Sequence, residues 1–527
     1  MIKLYKGGTI LAGDSFLYAE AMATDGEQIL AVGDTDEVLS AIGGRGYETV
    51  ELEGKTLMAG FVDAHGHFPS MMANEWQCSL RDARSIDEIR ERIRAFINER
   101  NIQPGEWVRA YAYDENLLAE GRHPTLAETD SICPENPLRI AHKSGHAGIL
   151  NTMALRHCEI TKGTPDPEGG RIMRTEDGEP TGVLFETAYS VLASKVPPIG
   201  TERQAEMAER VQDKYASYGI TTVQDGYLIS KNLEMYHALE AEGRLWVDIF
   251  GYVPVGAYSR VCNEWQGRER TEHVNLAGIK TFADGSPQLR TAWLRTPYEG
   301  SDECGEPNRT DERMLEGVML AARSGAQIIC HANGDAAIDQ FLRSLEAAEA
   351  EYPEFKSTRP VIIHAQLMGP DQLPRAKELG AVISFFVAHT YHWGDVHRVN
   401  VGERRAASIS PVRSALALGI PVTFHQDPPV IEPDMFETIW CAVNRVTRTG
   451  VTLGDEHISV KDAIRALTSG GAYQYHAEDR LGILDAGYQA DFIIVDRNPL
   501  TTPKEELRNI KVEATYKRGR CVYTRQK

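Results

Sequence analysis

The chain has 527 residues, 42% of them hydrophobic, with 56 Lys plus Arg against 76 Asp plus Glu for a formal net charge of −20. That length allows a large core, and the acidic balance argues against nucleic acid or an anionic membrane as partner, because both need clustered cations. No apolar run reaches the roughly 18 residues of a membrane span, residues 1–10 lack a signal-peptide pattern, and the eight cysteines include no C-x-x-C pair, so the expected setting is cytoplasmic with free thiols.

Residues 1–58 read as short strands punctuated at Gly7-Gly8, Gly13-Asp14, Asp25-Gly26 and Gly33-Asp34. Residues 481–527 repeat that style around Phe492-Ile493-Ile494-Val495 and Val512 to Tyr516. Neither end alone has enough strands to bury a face. The expectation is one small β domain composed of 1–58 plus 481–527, with residues 59–480 inserted between its halves. There, eight strand-like runs alternate with helices: 61–65, 221–224, 246–252, 279–282, 327–331, 361–364, 381–385 and 421–424. Eight is the number a closed (β/α)8 TIM-type barrel needs. Amphipathic helices are predicted at 311–324 and 335–350, and helices are predicted to stop at Gly219, Gly243, Gly325, Gly380 and Gly419. Residues 68–200 exceed any single βα connection and read as an insertion in the first βα loop. It carries a helix at 86–99 and strands at 107–113 and 138–141, and is expected to form a lid or pocket wall.

The C-terminal ends of the strands carry the active site in such a barrel. Six ligand-type residues fall there: His65 and His67 on the first strand, Lys280 on the fourth, His331 on the fifth, His364 on the sixth and Asp427 after the eighth. Strict alternation would point Asp63, His65 and His67 inward, with Val62, Ala64 and Gly66 outward. It likewise groups Lys280 with Asp284, and Thr423 with His425 and Asp427. Two histidines two residues apart can present nitrogens to one metal, and His331 with His364 can hold a second. A lysine buried between cations is driven to its neutral amine, which can add carbon dioxide and become a bridging carbamate. Asp427 would bind the first metal, take the proton of the attacking water and pass it to the leaving group. Each residue alone is commonly structural; together, on five strand ends, they make a metal site the expected reading.

The segments Phe61-Val62-Asp63-Ala64-His65-Gly66-His67, Ile279 to Ser286, His331-Ala332-Asn333-Gly334-Asp335 and Asp427-Pro428-Pro429 resemble the amidohydrolase superfamily. More narrowly, the chain is similar to its amidohydrolase-3 (YtcJ-like) branch, which includes N-substituted formamide deformylases. Gly482 to Asp491 resembles that group's return into the β domain. The resemblance spans essentially the whole chain. It implies a β-sandwich-like composite domain, a (β/α)8 barrel, and one or two divalent ions, usually zinc, with manganese or iron as alternatives. A small-molecule substrate is implied too, and a homodimer, since relatives are often dimers. His425-Gln426-Asp427 departs from the Gly-Ser-Asp of many relatives. Relatives also place a pocket-facing histidine at His146, implying a role in polarising substrate. His389, His392 and Trp393 follow the seventh strand at the substrate rim, and Glu186 is a further candidate carboxylate. Asn333 and Asp335 are expected to cap and brace the helix after the fifth strand, and His425 to orient Asp427.

The leading expectation is a hydrolase cleaving the C–N bond of an amide or N-formyl amine. Ester or lactone hydrolysis, or deamination of a ring, would use the same site, because the site and not the scaffold sets the reaction. A non-catalytic assembly protein would have lost ligands, and here the set is complete.

Overall fold

The computed structural model describes residues 1–115, 117–142, 147–167, 170–189, 195–196, 199–265 and 271–526. They fall into two compact units, one made of residues 1–71 with 208–527 and the other of residues 72–207.

The first unit is organised on eight parallel strands that neighbour one another in chain order. They are β1 (Phe61–Val62), β2 (Ile220–Asp225), β3 (Asp248–Pro254), β4 (Val274–Phe282), β5 (Gln327–Ala332), β6 (Val361–His364), β7 (Val382–Phe385) and β8 (Val422–Phe424). Runs such as Val361-Ile362-Ile363 are apolar at every position because strands of a parallel sheet are covered on both faces. Between them lie helices such as Asp311–Ser324, capped by Thr310 and ended by Gly325 at φ 61°, and Asp335–Glu351. This is an α/β, TIM-like fold.

The inner layer contains Val62, Phe250, Tyr252, Ile329, Val361, Ile363 and Val382, closed by Tyr475. The Tyr475 ring stacks on Phe250 with centroids 4.3 Å apart. Val62 therefore faces inward, which corrects the alternation expected through His67. The regular strand ends at Val62, and the chain bends over residues 63–66 before presenting the two histidines. On β6, Val361 and Ile363 take the inner face. His364 faces the site only because its backbone is left-handed, φ 74°.

The ends of the chain meet in a second sheet with strand order Arg520–Thr524, Val512–Lys517, Phe492–Val495, Thr56–Ala59, Ile2–Ala12, Leu17–Asp25, Gln28–Gly33, and Tyr47–Glu51 alongside Ile2–Ala12. Thr56–Ala59 pairs antiparallel with Phe492–Val495, and Gly60 N donates to Asp491 O at 3.0 Å, just before β1 begins. Phe492 stacks on Tyr516 (4.5 Å) in the core of this sheet.

The second unit has its own six-stranded sheet, in the order Gly170–Arg174, Pro180–Glu186, Ala147–Leu150, Leu138–His142, Val108–Tyr113, Cys78–Ser79. Trp107, Leu150, Leu155, Ile172 and Leu184 belong to its core, and Ser85 caps the helix Ile86–Glu99. Among the described residues no helix is long and apolar enough to cross a membrane.

Candidate metal centre

The bend after β1 is held from three sides. Tyr475 Oη donates to Asp63 O (2.6 Å), while Gln224 Nε2 and Gln474 Nε2 both donate to Ala64 O (2.7 Å each). His67 N donates to Pro428 O and Gly226 N to Gly66 O. Gln224 Oε1 then accepts from His65 Nδ1 at 2.5 Å, which leaves Nε2 as the lone pair facing the site.

Asp427 follows β8 on left-handed backbone, φ 53°, so its carboxylate turns back over the strand ends. Its Oδ1 lies 3.6 Å from His65 Nε2 and 3.3 Å from His67 Nε2, and its Oδ2 lies 3.9 Å from His364 Nε2. Lys280 Nζ is 3.2 Å from His65 Nε2. On the other side His331 Nε2 donates to Gly285 O (3.0 Å), which turns Nδ1 inward to within 2.9 Å of His364 Nε2. All six predicted residues thus converge on one cluster: His65, His67 and His364 lie beside Asp427, Lys280 beside His65 and His331 beside His364.

The fit to a cation can be tested on this geometry. Ligand atoms bound at about 2.0–2.1 Å in a tetrahedral site are separated by about 3.4 Å, close to the distances from Asp427 Oδ1 to the two imidazoles. Oδ1 is buried and accepts no hydrogen bond, and His65, His67 and Asp427 form a cluster able to hold a metal ion. Burial drives the imidazoles to the neutral form that ligates: His65 and His364 titrate well below the usual range, His331 near about 4 and His425 near about 3. Burial likewise lowers Lys280 to about 8, opposed by the charge of Asp427. Burial pushes Asp427 upward, but the imidazoles of His65, His67 and His425 outweigh it and hold the carboxylate well below its ordinary range. The residues present fit one or two divalent ions.

A sequence model described as "Amidohydrolase family", of the amidohydrolase-3 type, matches residues 48–523. The chain belongs to the amidohydrolase family. An N-substituted formamide deformylase of Arthrobacter pascens is 29% identical, with 96% of this chain and 95% of the relative covered. The putative amidohydrolase YtcJ of Bacillus subtilis is 26% identical, with 96% of each covered. Among solved structures, an uncharacterised metal-dependent hydrolase from Pyrococcus furiosus superposes with a TM-score of 0.78 at 27% identity, covering 95% of this chain and all of that one.

Other residues of this amidohydrolase fall less simply. His425 does not hydrogen-bond Asp427; its Nε2 is 3.0 Å from His364 Nδ1. Asn333 is not a helix cap, since Gly334 occupies that position; its amide donates to Gly285 O and lies 3.1 Å from His331 Nε2. Asp335 instead accepts from Arg295 N. His389 is buried with Nδ1 3.1 Å from His397 Nε2, its ring against Trp393 (4.6 Å) and Phe386 (4.5 Å). His392 pairs with Glu437 and Arg448. Glu186 lies exposed at the end of its strand in the second unit, and His146 lies outside the described residues. Sequence reasoning missed Gln224, Ser384 and Tyr475, which brace the ligands without being ligand types. Gln224 and Ser384 sit near the C-terminal ends of β2 and β7, so a search of strand ends for any polar side chain would have found both.

Proposed function

We propose that this chain is a metal-dependent amidohydrolase that cleaves a C–N bond of an amide or N-formyl amine in a small molecule, with Asp427 as general base and then general acid. The observation that carries the reading is Asp427 Oδ1, a buried carboxylate oxygen set 3.6 and 3.3 Å from the Nε2 atoms of His65 and His67. His65, His67 and Asp427 would hold one ion, and His331 and His364 the other. Lys280, as its carbamate, would supply the anion that two neighbouring cations need. Zinc is the expected metal, given the nitrogen-rich donor set. Bound there, a divalent ion supplies Lewis-acid polarisation and lowers the pKa of water.

The chain's own residues supply the rest. The two oxygens of Asp427 face different imidazole groups, so the carboxylate can bind through one and accept a proton on the other. It takes the proton of the attacking water and returns it to the departing nitrogen, which would otherwise leave as an unstable amide anion. The C–N preference is supported by similarity to the formamide deformylase over 96% of this chain. His389 and Trp393, packed on Phe386 beside His364 and His425, would form an aromatic wall for the substrate.

Two measurements test this reading together. Protein purified without added metal should carry about one to two divalent ions per chain. A screen across N-formyl amines, N-acyl amines, aryl amides and esters should show turnover of a C–N substrate that a chelator abolishes and zinc or manganese restores. A metal-free protein that no added ion activates would sink the reading; turnover of esters alone would remove its C–N part.

A further inference from the structure

His364 is backed by a hydrogen-bonded chain that offers no ligand to the site. His425 Nε2 lies 3.0 Å from His364 Nδ1, and Ser384 Oγ lies 2.8 Å from His425 Nδ1. Both Ser384 and His425 are fully buried. The His425 ring also packs edge-on against His65 (5.2 Å between centroids) and tilted by 50° against Phe386 (5.3 Å), so it is held in place on the faces its hydrogen bonds leave free.

We infer that His425 is a positioning residue for His364: it fixes that ring in the tautomer a metal ion requires, and Ser384 completes the chain behind it. The inference rests on the metal reading above and follows from counting hydrogens. His331 donates its Nε2–H to Gly285 O, so its Nδ1 carries a lone pair. Without a metal, the 2.9 Å contact from His331 Nδ1 to His364 Nε2 needs a hydrogen on the latter. His364 Nδ1 is then an acceptor, His425 must donate from Nε2, and His425 Nδ1 accepts from the Ser384 hydroxyl.

With a metal held by both rings, His364 Nε2 must offer its lone pair. Its hydrogen moves to Nδ1 and is donated to His425 Nε2. His425 then carries its own hydrogen on Nδ1 and donates to Ser384 Oγ. A hydroxyl donates or accepts equally well, so all of these contacts stay satisfied in both states. Metal loading therefore reverses two hydrogen bonds while His364 Nδ1, both His425 nitrogens and Ser384 Oγ each keep a partner; a buried nitrogen left without one would be costly. An apolar residue at 425 would leave His364 Nδ1–H without an acceptor in the loaded state.

The test compares wild type with His331→Ala, His425→Leu, His425→Gln and Ser384→Ala. Each is stripped with a chelator and titrated with Zn2+ against a chromophoric competitor, and the melting temperature of each stripped protein is recorded. The ion that matters is the one His331→Ala fails to hold. His425→Leu should bind it about 10–100-fold more weakly. His425→Gln, whose amide oxygen can accept from His364 Nδ1–H, should stay within a few-fold of wild type, and Ser384→Ala should fall between them. The inference is overturned if His425→Leu binds that ion as wild type does, or if Gln loses as much as Leu, which would mean packing alone. A wild type that holds no zinc overturns the metal reading itself. Should His425→Leu fail to fold, nitrogen NMR of 15N-histidine-labelled wild type decides: zinc must move the His425 hydrogen from Nε2 to Nδ1, and an unchanged tautomer refutes the inference.

Discussion

Lys280 is the residue on which the two-ion reading turns. Its amine is buried, titrates near about 8 and lies 3.2 Å from His65 Nε2, so a cation placed among these imidazoles would strip its proton. Carbamate formation joins Nζ to carbon dioxide with loss of one proton, replacing a positive charge by a negative one. Lys280→Ala should therefore lose metal, and millimolar acetate or formate should partly restore both metal content and turnover. Full metal and activity in the unrescued variant would refute the carbamate. Asp427→Asn makes a separate point. It keeps shape but not basicity, and the turnover number should fall by about 10²–10⁴-fold, the usual worth of a general acid–base. A smaller fall, measured on protein with wild-type metal content, would assign the proton transfers elsewhere.

At the scale of elements, the site depends on where regular strands stop. β1 ends at Val62 and the bend that follows is packed so closely that Gly226, just after β2, has no room for a side chain. A Cβ there would lie 2.8 Å from His65 Cε1 and 3.1 Å from His67 Cε1. Gly226→Ala should displace both rings and weaken metal binding by about tenfold or more, although it removes no donor. Gly256→Ala, where a Cβ meets nothing, should bind as wild type does, and equal affinities for the two would show that the bend adapts. The same elements show what was legible beforehand. The eight strands could be read because buried parallel strands are continuous apolar runs, and Gly325 because a left-handed helix end selects glycine. The ligand types at the strand ends were legible too. Their route into the site was not, because alternation assumes a regular strand, whereas residues 63–66 bend and His364 and Asp427 take positive φ. Nor was the support from Tyr475, which reaches Asp63 across 412 positions of sequence and leaves no local pattern.

At the scale of the whole molecule, a buried ion cluster ties the terminal sheet to the base of β3. Lys517 Nζ lies 2.7 Å from Asp248 Oδ2 and 2.6 Å from Asp491 Oδ2, with Arg518 and His273 also on Asp248. Lys517→Met should cost about 3–5 kcal/mol in urea denaturation, because two buried carboxylates lose their cation. Burial alone would raise the pKa of Asp248, but Lys517, His273 and Arg518 outweigh it and hold the group below its ordinary value. A depressed carboxylate contributes stability that is present above its unfolded pKa of about 3.9 and is lost as pH falls through the folded value. The stability gap between wild type and Asp248→Asn should accordingly hold from pH 8 to 5 and shrink below about pH 4; a gap that opens only above pH 6 would contradict the assignment. The pairing of Thr56–Ala59 with Phe492–Val495 also sets an order of events during synthesis. His65 leaves the ribosome early, yet the strand that anchors its neighbour follows hundreds of residues later, about 20–85 s at about 5–20 residues per second. His65 and His67 are thus on display as loose imidazoles through that interval, before Asp427 has even been made, and a cell rich in the wrong metal would meet them first in that open form.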